Sequence, residues 1–336
     1  MKRSLGLGLW LTAAALTFGA SAAWAQKTVT FAYQDMMNPW RWVQQTGEVE
    51  KATGIKINFR QFGGGGDVIR AMASGDVELG EIGSTGIATA VSQGMDVELF
   101  WILEDIASAE ALVVRNGSGV NSIADLKGKK IATPFVSTSH FQLLYAMDKA
   151  GIKATDAQIL NMRPPEIAAA WGRGDIDATF IWDPVLSTVK KNGKVLMTSG
   201  DICKQGACTF DGLVVTRKFA KENPAFMVAL VKAIAKADGD YKANPAAWGA
   251  TSEKAKAVAK WSGGKVEDVP ASMKLYGFPS LQEQASPTWL GGGANGAAAK
   301  ALTQQANFLK EQGRLTSVAP DYAKAVTTEW VTKAMK

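Results

Sequence analysis

Polar and apolar residues alternate from residue 27 to residue 34 (Lys-Thr-Val-Thr-Phe-Ala-Tyr-Gln) and again over 55–60, so both segments predict β-strands. Residues 39–53 between them carry helical spacing and stop at Gly54. Strand, helix, strand is the βαβ pattern of an α/β protein. Residues 69–84 and 168–183 share one plan in a constant register of 99 residues: helix, Gly-Asp turn, apolar residue, acid, short strand, polar tip. Gly83 matches Trp182 and Ser84 matches Asp183. Two copies of one local plan predict two lobes built alike.

Residues 110–114 (Glu-Ala-Leu-Val-Val) and 211–215 (Asp-Gly-Leu-Val-Val) are each an acid followed by a β-prone run. They are read as hinge strands bracketing the second lobe. The expected division is 26–113 with 214–336 for a discontinuous first lobe, and 114–213 for the second. Beyond Val215 the pattern turns helical, over 222–238, 245–261, 280–286 and 295–312, with Phe226, Ala229, Leu230 and Ile234 at three- and four-residue spacing. A Gly-rich connector covers 291–296.

The beginning of the chain adds a destination. Lys2 and Arg3 precede a mostly apolar stretch over 5–18, and Ala23-Trp24-Ala25 is a small-x-small cleavage site, so residues 1–25 read as a secretion signal cleaved after Ala25. The formal net charge of +6 includes those two basic residues, and the remaining lysines are scattered, which argues against a nucleic-acid face. In an oxidising compartment, Cys203 and Cys208, the only cysteines, suggest a local disulfide. With two cysteines and one histidine, no metal site and no cofactor are expected.

Candidate chemistry gathers at strand ends, where open α/β sheets bind ligands. Ser84 and Thr85 open one predicted helix; Ser137, Thr138 and His140 open another. Free N–H groups and the helix dipole at such starts attract an anion. Glu110 and Asp211, at the hinge strands, would accept an ammonium group, since a buried unpaired carboxylate is costly. Trp182, Tyr33 and Phe135 could wall a small ligand. Residues 61–67 (Gln-Phe-Gly-Gly-Gly-Gly-Asp) lack the Gly-Lys-Ser/Thr ending of a nucleotide loop; they read as a structural turn near the cleft mouth, with Asp67 as helix cap. Catalysis is not expected: His140 is the sole histidine and no G-x-S-x-G turn is present.

On residues 68–77, 108–114, 134–140 and 169–177, above all Ser-Ala-Glu-Ala-Leu-Val-Val and Pro-Phe-Val-Ser-Thr-Ser-His, the chain resembles the periplasmic taurine-binding components of ABC importers. It is also similar to the wider aliphatic sulfonate, nitrate and thiamine-precursor binding group. The resemblance implies a two-lobed type II (Venus-flytrap) periplasmic-binding-protein fold with two hinge crossings. It further implies a monomer, a small-molecule ligand and docking on an ABC permease. By carry-over, Ser84, Thr85, Ser137, Thr138 and His140 surround a sulfonate, Glu110 and Asp211 take an ammonium, and Tyr33, Gln34 and Trp182 form walls. Asp183, in a Trp-Asp-Pro run typical of the broader group, is an additional candidate that would favour a more cationic ligand.

Overall fold

The computed structural model describes residues 27–336; the secretion signal and its cleavage after Ala25 lie outside the described residues. Ten strands run in chain order as β1 (Thr28–Tyr33), β2 (Lys56–Gln61), β3 (Leu79–Gly83), β4 (Val97–Asp105), β5 (Glu110–Arg115), β6 (Lys130–Thr133), β7 (Gln158–Asn161), β8 (Ala178–Trp182), β9 (Gly193–Thr198) and β10 (Phe210–Thr216). They form two sheets, ordered β2-β1-β3-β10-β4 and β7-β6-β8-β5-β9.

The two sheets have one topology. β1 pairs in parallel with β2 and β3, and β10 runs antiparallel between β3 and β4. In the same way β6 pairs in parallel with β7 and β8, and β5 runs antiparallel between β8 and β9. The equivalent strands β3 and β8 are the two stretches related by the 99-residue register. Each lobe's antiparallel strand is the first one laid down after the chain has crossed over.

That exchange moves the lobe boundaries. β5 lies wholly in the second sheet and β10 wholly in the first, so the chain crosses at residues 106–109 and 204–209. The expected boundaries at 113/114 and 213/214 fall inside these strands, because hydrogen bonding to neighbours, not the acid at the strand's start, assigns a strand to its sheet. At the first crossing Ala107 sits at φ 43°, a conformation few non-glycine residues adopt. Cys203 and Cys208 are joined by a disulfide that spans most of the second crossing.

Eight helices matter to the site: α1 (Trp40–Thr46), α2 (Gly65–Ala73), α3 (Ser84–Ser92), α4 (Thr138–Lys149), α5 (Pro164–Arg173), α6 (Val185–Val189), α7 (Pro224–Ala243) and α8 (Ala297–Glu311). The expected helix over 39–53 is interrupted at Gly47, which takes φ 61° and closes α1 through its N–H to the Val43 carbonyl. The expected helix over 245–261 is likewise two pieces, Pro245–Trp248 and Glu253–Ser262. α7 buries Phe226, Met227, Leu230, Val231 and Ile234 against the first sheet's core, which also holds Phe31, Trp40, Leu79, Phe100 and Trp101. The second sheet is packed on both faces, one around Phe141 and Phe180, the other around Trp171 and Ile181. Met36, from the first lobe, belongs to the latter cluster, so the two lobes are pressed together. Among the described residues no helix is long and apolar enough to cross a membrane.

Candidate functional site

Where the carboxyl ends of the strands meet, a small cavity is lined by Gln34, Met36, Gly65, Gly83 and Asp211 from the first lobe and by Glu110, Ser137, Thr138 and Trp182 from the second. Glu110 begins β5 opposite Trp182 of β8, and Asp211 lies in β10 opposite Gly83 of β3. The duplicated topology thus delivers one acid from each lobe to the same point. Both are almost fully buried, and among the described residues neither forms an ion pair with Lys or Arg.

The Glu110 carboxylate accepts 2.6 Å from Thr138 Oγ1, and its Oε2 has no partner. Burial pushes this carboxyl up to about 7, against the opposing pull of the hydrogen bond from Thr138 and of the nearby Ser139 hydroxyl. Asp211 is held well above the usual carboxylate range by burial and by the neighbouring charges of Glu110 and Glu81. Asp35, a partly buried acid, accepts 2.6 Å from Trp182 Nε1 across the cleft and is raised to about 6, chiefly by desolvation. The nearby cation, Arg41, is fully committed. Its guanidinium bonds both oxygens of Glu81, at 2.6 and 2.8 Å, and also reaches Gln44 Oε1 and the carbonyls of Met36 and Gln34. The cavity therefore has a surplus of carboxyl groups with no unspent positive charge facing them.

Two helix starts also border the cavity. α4 begins at Thr138 with Ser137 as cap, and Ser137 Oγ accepts from the His140 N–H while donating to the Pro134 carbonyl. α2 begins at Gly65, and its capping residue Gly64 has no side chain to take the first N–H groups. Asp67 does not cap α2, contrary to expectation; it lies inside the first turn, and its carboxylate bonds Arg163 Nε of the other lobe at 2.9 Å as well as Arg70. A Cβ on Gly65 would stand 3.3 Å from the Val136 carbonyl, and one on Gly64 3.5 Å from Pro134. Residues 63–66 are thus the close contact between lobes as well as a helix start. Val136 itself holds φ 63°, an outlying conformation for a β-branched residue and a mark of constraint at a functional loop.

Several expected site residues are elsewhere. Ser84 and Thr85 donate their hydroxyls to Gln305 Oε1 of α8, at 3.0 and 2.8 Å, because α8 packs along α3 and buries a single amide against both. Tyr33 packs edge-on against Phe59 and Trp261 in the first lobe. Asp183 accepts 2.7 Å from the Ser187 N–H and so serves the start of α6. His140 stacks on Phe135 with ring centroids 4.3 Å apart, and burial, with Arg314 nearby, lowers it to about 3. It is a neutral wall behind Ser137, not a member of the lining. Gln34, Glu110, Ser137, Thr138, Trp182 and Asp211 do come together. Gly65, Gly83 and Met36 were missed; Gly83 carries a signal, since its match in the repeat is Trp182.

The NMT1/THI5-like family model matches residues 51–247. The taurine-binding periplasmic protein of Escherichia coli (strain K12) is 38% identical over 95% of this chain and 97% of its own length. The alkanesulfonate-binding protein SsuA from Xanthomonas axonopodis pv. citri, solved with MOPS bound, superposes with a TM-score of 0.71 at 24% identity, covering 89% of this chain and 98% of that one. The desulfurization enzyme DSZB shares the fold at a TM-score of 0.60 and 14% identity, over 92% of this chain and 99% of that one.

Proposed function

The chain belongs to the NMT1/THI5-like family, and from that membership and the cleft geometry we infer that it is the periplasmic solute-binding component of an ABC importer, with taurine as its ligand. One observation carries the reading: Glu110 and Asp211 approach from opposite lobes into one closed cavity with no basic partner. Closing two carboxylates on each other is unfavourable unless a cation stands between them. A ligand ammonium satisfies both, so binding favours the closed form over the open one. The ligand's sulfonate then lies against the starts of α2 and α4, at Gly65, Ser137 and Thr138, where N–H groups and helix dipoles from both lobes favour negative charge. Trp182 and Met36 wall the apolar middle. The cavity of about 10 Å³ is about the size of one water, so taurine enters with the lobes apart and holds them wider than they stand in this form.

The test is calorimetry with taurine, ethanesulfonate and β-alanine. Taurine is expected to bind at least tenfold tighter than ethanesulfonate, which lacks the amine, and tighter than β-alanine, whose carboxylate replaces the sulfonate. Equal binding of taurine and ethanesulfonate would remove the ammonium role. Small-angle scattering is expected to show a single-chain particle that contracts on adding taurine.

Asp183 lends no weight to a more cationic ligand, since its carboxylate is occupied by α6. A hydrolase-like reading lacks a relay: Ser137 Oγ donates to a carbonyl, and the His140 imidazole has no carboxylate behind it. Secretion through residues 1–25, delivery to the permease and a monomeric state belong to the same proposal.

Gly83 gives a prediction about closure. A Cβ there would come within 2.9 Å of Thr138 Cγ2 in the other lobe and 3.1 Å of Asp211 Oδ1. Gly83→Ala is expected to cost about tenfold or more in taurine affinity through overpacking. The Thr138 contact exists only when the lobes meet, whereas Asp211 faces Gly83 within the first lobe in either form, so the melting temperature of the ligand-free protein should fall far less than the affinity does.

A further inference from the structure

The penultimate residue of β4 is an acid outside the cavity lining. Glu104 is fully buried, stands directly opposite Asp211 in the antiparallel β4–β10 pair, and neither of its oxygens receives a hydrogen bond from a donor group among the described residues. Like charges directly opposite each other across strands are destabilising even at a surface. Buried and without donors, two ionised carboxylates at this spacing are not sustainable.

The groups facing Glu104 come from every element around it. Asp211 comes from β10 and Glu81 from β3; Arg41 comes from α1 and is already bonded to both Glu81 oxygens. The Asn38 amide lies alongside without hydrogen-bond geometry. The buried hydroxyl of Tyr276 is also close to Glu104 and Asp211, and has no partner. Glu104 and Asp211 are register partners across β4 and β10, which places both side chains on the same face of the sheet. Burial, then Asp211 and Glu81, hold Glu104 well above the ordinary carboxylate range.

We propose that Glu104 is a positioning residue kept as a neutral acid, its carboxyl O–H donating to Asp211 so that the Asp211 carboxylate remains ionised and aimed at the ligand. The assignment of roles follows from placement: Asp211 lines the cavity and Glu104 stands behind it. A charge on Asp211 can be neutralised by an ammonium group, whereas a charge on Glu104 faces only an Arg41 already bonded to Glu81, with the Asn38 amide and Tyr276 hydroxyl not hydrogen-bonded to it. The proton stays on Glu104 with and without ligand, so no transfer accompanies binding. This inference rests on the taurine reading of the cleft.

Two variants separate a donor from a charge. Glu104→Gln keeps an N–H donor toward Asp211 and is expected to bind taurine within about threefold of the wild type, with the same dependence on pH between 6 and 8.5. Glu104→Met keeps bulk without a donor and is expected to bind at least about tenfold more weakly, the loss of one hydrogen bond to a charged group. A Gln variant as weak as the Met variant overturns the proposal, because charge at Glu104 would then be what matters; a Met variant as tight as the wild type overturns it too. If the Met variant does not fold, the Gln variant decides: more than tenfold loss overturns, retention supports. Infrared difference spectra of ligand-free wild type and Glu104→Gln at pH 7.5 provide a ligand-independent reading. A carboxylic-acid C=O band present only in the wild type is expected, and its absence overturns the proposal. Wild-type protein that shows this band but binds no taurine would remove the ligand assignment while leaving Glu104 neutral.

Discussion

Glu110→Gln is expected to weaken taurine binding by about a hundredfold, with no loss of stability in the ligand-free protein. Removing one partner of a buried, hydrogen-bonded charge pair costs roughly 2–5 kcal/mol, and about 2.7 kcal/mol is a hundredfold in affinity. The substitution keeps the side chain's shape and its contact with Thr138 but removes a charge whose burial is unfavourable. Calorimetry gives the affinity and thermal melting gives the stability. An affinity within threefold of the wild type would mean that the ammonium group is held elsewhere.

The same carboxyl ties closure to pH. In the closed form without ligand, burial holds Glu110 up to about 7; in the open form it returns toward an ordinary carboxylate value of about 4.3. A group whose value is raised in one form favours that form in its protonated state, so closing without ligand takes up a proton. The ligand-free closed population is therefore expected to grow as pH falls from 8 toward 5.5. The radius of gyration from small-angle scattering should decrease over that interval. With taurine bound the ammonium replaces the proton on Glu110, and that residue's share of the pH dependence should disappear, as it should in Glu110→Gln, leaving only what the raised Asp35 and Asp211 contribute.

Arg41→Met should be the most destabilising single change near the site. The guanidinium is fully buried, pairs with the equally buried Glu81 at 2.6 Å, and satisfies two backbone carbonyls and Gln44. Losing one member of a buried pair costs about 3–5 kcal/mol because an uncompensated charge remains. Urea denaturation followed by tryptophan fluorescence is expected to register a loss of that size. Replacing both members, as Arg41→Met with Glu81→Leu, should recover part of it, since no lone charge is left behind; the carbonyls of Met36 and Gln34 still lose their donor. A double variant no more stable than the single one would show that Arg41 acts through those carbonyls and not through Glu81.

The site was legible wherever its chemistry lay in short sequence. Glu110 and Asp211 were marked by an acid before a β-prone run, and Ser137 by its place before a helix. Residues recruited by packing were not. Ser84 and Thr85 look like the start of an anion site until α8, more than 200 residues later, brings Gln305 to both hydroxyls. Glu104 is the penultimate residue of a strand whose residues Val97 to Glu104 are all buried. A strand covered on both faces shows no alternation to read. The glycines at 63–66 were read as a turn, whereas their missing side chains make room for Pro134 and Val136 of the other lobe.

By itself, the sequence determined the α/β class, the duplicated plan and the pair of acids, because periodicity, turn residues and residue type act within a few positions of one another. The tertiary structure alone decided which lobe owns β5 and β10, which hydroxyls stay free and which carboxyl groups face one another. Those outcomes depend on burial and on hydrogen bonds between segments far apart in the chain. Whether a polar group is spent internally or left for a ligand is settled only when its distant neighbours are in place.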